Sequence, residues 1–131
     1  MYALDIVTAH LKKPHRSGGT LSDFEGVRLR YADMRINTFA ARSVLYRVGR
    51  LLGSGDQFIN EVTTAKIFCT EAASSVVDTA VQLVGGQALV SGHPLEDLYR
   101  KIRSMRIAGG ASDILRLNVS KGVFEFDSGI V

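Results

Sequence analysis

A single cysteine, Cys69, occurs in the 131-residue chain, so no internal disulfide can staple it, and a reducing compartment suits it. Prolines are almost as scarce: Pro14 and Pro94 are the only two, and each falls where a helix would have to stop or begin. No uninterrupted apolar run approaches the about 20 residues that a membrane-spanning helix needs. The first residues, Met1-Tyr2-Ala3-Leu4-Asp5, lack the positive head of a secretory signal, which makes the glycosylation triplet Asn118-Val119-Ser120 incidental. An intracellular, cytoplasmic chain with no membrane span is therefore expected. Lys and Arg outnumber Asp and Glu by 16 to 13, but they are scattered among the acids rather than gathered in a run, so nucleic acid is not an expected partner.

What is present is an ordinary globular balance, 46% hydrophobic and 22% charged, in one domain spanning residues 1–131. A chain of this size buries roughly two-thirds of the surface its unfolded form exposes. The long stretches free of glycine and proline predict helices. A short one is expected over residues 3–13, ended by Pro14 and the polar segment that follows. Ser22-Asp23-Phe24-Glu25 reads as a capping box opening the next helix.

There the pattern is clearest. Val27, Tyr31, Met34, Thr38, Ala41, Leu45, Val48 and Leu52 alternate spacings of four and three, one stripe of a helix about 30 residues long. Arg28, Arg30, Arg35, Arg42 and Arg50 occupy other faces. Gly53-Ser54-Gly55 is expected to turn the chain back into a second long helix with the stripe Phe58, Val62, Ala65, Cys69, Ala72, Val76, Thr79 and Leu83, ended by Gly85-Gly86. A third helix should start at Pro94 and point Leu98, Tyr99 and Ile102 inward. After Gly109-Gly110 a last one should start near Ser112 with Ile114, Leu117 and Phe124 inward, and the tail from Asp127 should fray. The fold class is all-α, an antiparallel four- or five-helix up-and-down bundle.

Familiar chemistry is missing. His10, His15 and His93 have no metal-ligand spacing, Cys69 lies on an apolar seam, and neither a nucleophile elbow nor a phosphate loop occurs. Four other segments, in order, carry a resemblance: Asp23-Phe24-Glu25-Gly26-Val27 with Ala32-Asp33-Met34; Ala65-Lys66 with Val81-Gln82-Leu83-Val84-Gly85-Gly86; His93-Pro94-Leu95-Glu96-Asp97-Leu98-Tyr99-Arg100 with Arg103; and Arg106-Ile107 with Ile114-Leu115-Arg116-Leu117. Together they resemble the C-terminal helical domain of FAD-dependent acyl-CoA dehydrogenases, one of that family's three domains.

The resemblance implies α,β-dehydrogenation of acyl-CoA thioesters, with a glutamate taking the α-proton while hydride leaves to the flavin. At the position of that glutamate this chain has Gly109, which cannot accept a proton. Family members that carry the base on the domain's first helix would place it at or before Met1, and Asp5 is the only acid early in that helix. By resemblance, Gln82, Val84, Gly85 and Gly86 approach the FAD of a neighbouring subunit, although paired glycines also simply end helices. Ala111 and Asp113 stand where the family's flavin-contacting threonine and the polar residue after it lie. The family's Arg-x-x-Phe-Gly segment survives only as Gly18, with Pro14 and Ser17 at the other positions and Arg16 nearby. The expected partner is a second copy, as dimer or tetramer, or an acyl-CoA dehydrogenase subunit. The expected activity of the chain alone is none, and the alternative is a non-catalytic oligomerisation or partner-binding module.

Overall fold

The computed structural model describes residues 1–16, 18–52 and 58–129. Five α-helices carry the fold: α1 (Tyr2–Leu11), α2 (Glu25–Leu51), α3 (Ile59–Val84), α4 (Pro94–Met105) and α5 (Ser112–Phe126), with single 3-10 turns at Leu21–Asp23 and Gly86–Leu89. The all-α bundle read from the sequence is the observed class. All four other helices pack on α3. By length and mean hydropathy, 1.2 over its most apolar window, α3 would pass for a bilayer span; here that apolarity serves a central strut.

Contacts fix the helix directions. His10 meets Gln87 beyond the end of α3, while Met1 and Ala3 lie beside Ala72 and Val76, so α1 runs parallel to α3. Cys69 sits against Ala41, and α2 runs back along α3. Tyr99 bonds Asp78, Arg106 bonds Glu71 and Asn60 bonds Val119, so α4 and α5 descend α3 one after the other in the same direction. They form one broken arm, and the break spans residues 106–111.

The core lies where α1 presses Ala3, Leu4, Val7 and Leu11 onto Met34 of α2 and onto Val76, Val77, Ala80 and Val84 of α3. Tyr31 ties α1 to α2 through a 2.6 Å hydrogen bond between its hydroxyl and that of Thr8. Leu95, not Tyr99, is the fully buried residue of α4; Tyr99 is largely exposed, its hydroxyl donating to Asp78 at 3.2 Å. Pro94 takes the first helical position as expected, and His93 caps the helix, its Nδ1 accepting from the Leu95 N–H at 3.1 Å.

The expected capping box moves by two residues. Thr20 and Asp23 form it, with the Thr20 N–H donating to Asp23 Oδ2 at 2.7 Å, and it closes the 3-10 turn. Helix α2 starts after Phe24 without a side-chain cap, and Ser22 instead lends its carbonyl oxygen to Arg28 Nε at 2.7 Å. The short Thr20–Asp23 turn satisfies these donors first, so Ser22 has no free helix end to cap. The Gly53-Ser54-Gly55 turn lies outside the described residues.

The inward face of α5 is also corrected. Ile114, Leu117 and Phe124 point outward, Phe124 being 85% exposed. Ser112, Leu115, Val119 and Gly122 face inward instead, at spacings of three and four. A small-residue face lets α5 lie close to α3, where Asn60 Nδ2 donates to the carbonyl oxygens of Val119 (3.2 Å) and Ser128 (3.0 Å). A Cβ at Gly122 would stand 2.8 Å from that amide. The Ser128 N–H and hydroxyl both bond the Gly122 carbonyl oxygen, so residues 127–129 are tied down rather than frayed; Ile130 and Val131 lie outside the described residues.

Asn60→Ala removes both long-range bonds at once. It should lower unfolding stability by about 1–3 kcal/mol, read as a lower urea midpoint at unchanged slope.

Candidate functional site

The break between α4 and α5 is built by glycine geometry and held by charge. Gly109 and Gly110 have φ of +67° and +108°, a region costly for other residues, and they break the helix between α4 and α5. Across the loop the Ser112 N–H donates to the Arg106 carbonyl oxygen at 3.2 Å. From α3, Lys66 Nζ donates to the Gly110 carbonyl oxygen at 2.8 Å. Glu71 receives Arg106 as a fork, Nε at 3.0 Å and Nη2 at 2.8 Å, with Arg116 at 3.6 Å.

Partial burial alone would raise the Glu71 carboxyl. Hydrogen bonds from Arg106 and Ser112, with the charges of Arg106 and Arg116, outweigh it and hold Glu71 below the ordinary carboxylate range. Arg106 and Arg116 entered the sequence reading only as parts of a segment that carries the resemblance, and Glu71 not at all, because the pairings join residues distant in sequence and no local motif marks them.

A Cβ added at Gly110 would meet Leu115 Cδ2 at 2.8 Å, whereas one at Gly109 would meet nothing within 4 Å. Position 109 therefore faces open space. Asp113 is exposed and lies 3.4 Å from Arg116 Nη1, and Ala111 caps α5 with no side-chain hydrogen bond.

The second segment sits elsewhere. Gln82 is exposed, the Val84 side chain is buried, and Gly85 (φ +82°) stops α3. Added Cβ atoms at Gly85 and Gly86 would meet nothing within 4 Å, so a ligand can approach this backbone closely. Gln87 Nε2 braces the turn, donating to the Val84 carbonyl oxygen and contacting His10 Nδ1, each at 3.2 Å. Burial, then the charge of Lys13, pushes the His10 imidazole below its ordinary pKa. Gln82 and Glu71 lie about 17 Å apart along α3 at 1.5 Å per residue. One chain does not bring the two segments together.

The remaining sequence candidates stand apart from both. Asp5 is an exposed first-turn carboxylate of α1, Pro14 pairs with Thr20 in a small hairpin, and Ser17 lies outside the described residues. Cys69 is half-buried, its thiol pushed up by burial, with Sγ 3.5 Å from the Ala41 carbonyl oxygen. Among the described residues no three His, Cys, Asp or Glu side chains gather as a metal site.

A family model, acyl-CoA dehydrogenase C-terminal domain, matches residues 1–124. The chain belongs to that family. It is 34% identical over 123 residues to a 3-sulfinopropanoyl-CoA desulfinase of Advenella mimigardefordensis, covering 94% of this chain and 30% of the relative. To the short-chain specific acyl-CoA dehydrogenase of Rattus norvegicus mitochondria it is 30% identical, covering 90% of this chain and 29% of the relative. The structure of an acyl-CoA dehydrogenase from Geobacillus kaustophilus superposes with a TM-score of 0.88 at 25% identity, over 93% of this chain and 32% of that one. The chain thus spans about a third of the length of the relatives it matches.

Glu71 provides a pH test. Its folded pKa is lowered, so its contribution to stability is full above the ordinary value of 4.5 and is lost as pH falls through the lower folded value. Glu71→Gln should be less stable than the parent at pH 7, and the gap should close toward pH 3, in urea midpoints measured across that range.

Proposed function

We propose that the chain supplies the C-terminal bundle of a flavin-dependent, acyl-CoA dehydrogenase-type assembly and does not dehydrogenate acyl-CoA thioesters by itself. The observation that carries this is the loop at residues 106–112. Lys66, Glu71 and Arg106 hold it in shape, yet position 109 bears no side chain and faces open space.

FAD fits one part of the chain and not the other. Gly85 and Gly86 offer open backbone, with Gln82 exposed beside them, and these would hold the nucleotide end of a flavin bound mainly by another subunit. At α5, Ala111 offers no hydroxyl and Asp113 offers a carboxylate, which opposes a phosphate. When bound, FAD supplies the hydride acceptor; this chain's residues contribute backbone donors and shape. That one relative is named a desulfinase supports a scaffold serving acyl-CoA chemistry other than dehydrogenation.

A second reading, a non-catalytic oligomerisation module, is favoured by the apolar residues left uncovered on α5: Ile114, Leu117 and Phe124. Large residues standing together outside the core mark a surface meant for protein.

Titrating the purified chain with FAD should give no absorbance or fluorescence change at micromolar flavin, with any affinity weaker than about 100 μM. Butyryl-CoA with a dye acceptor should show no turnover. Micromolar flavin binding with turnover would refute the proposal. For the second reading, sedimentation should show self-association that the exposed-face pair Leu117→Glu and Phe124→Glu abolishes without lowering the melting temperature.

A further inference from the structure

Helices α3 and α4 are tied by two polar rungs with a gap between them. At one end the Tyr99 hydroxyl donates to Asp78 Oδ1 at 3.2 Å, and at the other Arg106 Nη2 meets Glu71 at 2.8 Å. Seven residues separate the rungs on each helix, 71 to 78 and 99 to 106, about 10 Å at 1.5 Å per residue. The two helices run antiparallel, so Arg103, four residues past Tyr99, is level with Ser74 and Ser75, which stand four and three residues before Asp78. No acid occupies that level. The Arg103 side chain is exposed and makes no hydrogen bond or ion pair among the described residues, and the exposed Ser75 side chain makes none either. Ser74 Oγ is shut from solvent and also lacks a partner, which is unusual for a buried hydroxyl. A cleft of about 290 Å³ opens here, lined by Ser74, Ser75, Asp78 and Arg103 together with apolar Val77 and Ile102.

We infer that this cleft binds a small zwitterion, an α-amino acid, through Arg103 and Asp78. Charge balance selects the ligand. Glu71 is already matched by Arg106 and Arg116, so the unmatched charges of the cleft are one guanidinium and one carboxylate. Asp78 accepts only the neutral hydroxyl of Tyr99, which holds its carboxylate in place and leaves Oδ2 open. Arg103 and Asp78 are out of step by four residues, about 6 Å along the helix axes, and form no ion pair with each other. A carboxylate and an ammonium on one α-carbon bridge such a pair. The carboxylate takes the planar fork of Arg103, with the Ser75 hydroxyl as a further donor, and the ammonium donates to Asp78 Oδ2. Ser74 Oγ has no bond to lose and can turn toward the same carboxylate by a change of rotamer. A plain anion would be opposed by Asp78, and a plain cation by Arg103. The volume lies at the lower limit of small-molecule sites, enough for an amino acid and too little for a dinucleotide. Val77 and Ile102 offer apolar surface, which suits an uncharged side chain. Since the Arg106 rung also shapes the loop at 106–112, an occupant would tie α4 to α3 just ahead of that loop.

Chemical shifts of the backbone amides and of the Arg103 side chain in the full chain report occupancy. The probes are L-leucine, L-alanine and glycine, with acetate, methylammonium and ADP as controls. At least one of the three amino acids should move the signals of Ser75, Asp78, Tyr99 and Arg103 along a curve that saturates by about 50 mM, a millimolar Kd. Acetate and methylammonium should bind at least about tenfold more weakly, since each keeps one of the two charged contacts. Arg103→Gln and Asp78→Asn should each weaken amino-acid binding about tenfold or more. Both positions are exposed, Asn keeps an acceptor for Tyr99, and the amide spectrum away from the cleft checks that each variant is folded. Arg103→Lys, which keeps the charge without the fork, should fall between parent and Arg103→Gln. No saturable shift with any of the three amino acids at about 50 mM overturns the inference. So does acetate binding as tightly as the amino acids, which would make the cleft a plain anion site. Tighter binding of ADP at the same residues overturns it too, because the cleft would then belong to the nucleotide end of a flavin.

Discussion

One helix serving every other helix is the constraint on which this structure depends. Helix α3 must present an apolar line to α1, a second to α2, and donor and acceptor groups to the arm formed by α4 and α5. Alanines at 65, 72, 73 and 80 keep its girth small where neighbours crowd it. Four of its polar side chains reach the arm: Asn60 holds the end of α5, Lys66 the glycine turn, Glu71 the two arginines and Asp78 the Tyr99 hydroxyl. Apolar area supplies most of the cohesion, and these four contacts fix the register of the arm.

Periodicity made α2 and α3 legible, because a stripe repeating over about seven turns is hard to produce by chance. Gly85 correctly marked the end of α3 and Pro94 the start of α4, for local steric reasons. The reading of α5 went astray because it took the largest apolar residues as the inner ones. There the inner face is chosen by close approach to Asn60 at Gly122 and by the bonds of Ser112 to Arg106 and Glu71, which leaves Phe124 outside. The misplaced capping box has a similar origin, since Thr20-Leu21-Ser22-Asp23 and Ser22-Asp23-Phe24-Glu25 both satisfy the pattern and backbone geometry decides between them.

The candidate site was legible as a set of positions and illegible as an arrangement. Gln82 to Gly86 and Gly109 to Asp113 could be found along the chain. Their separation along α3 and the ion cluster at Glu71 follow from packing between residues distant in sequence. What the fold adds is that Gln82 to Gly86 lie at the C-terminal end of the strut and the glycine loop lies near its middle, about 17 Å away along the helix.

The loop at 106–112 takes its shape from Lys66, Glu71 and Gly110, while residue 109 contributes no side-chain contact. The loop's shape and the side chain at its outermost glycine are thereby independent of one another. A side chain placed at 109 would disturb no neighbour and would cost only the left-handed backbone, about 1 kcal/mol.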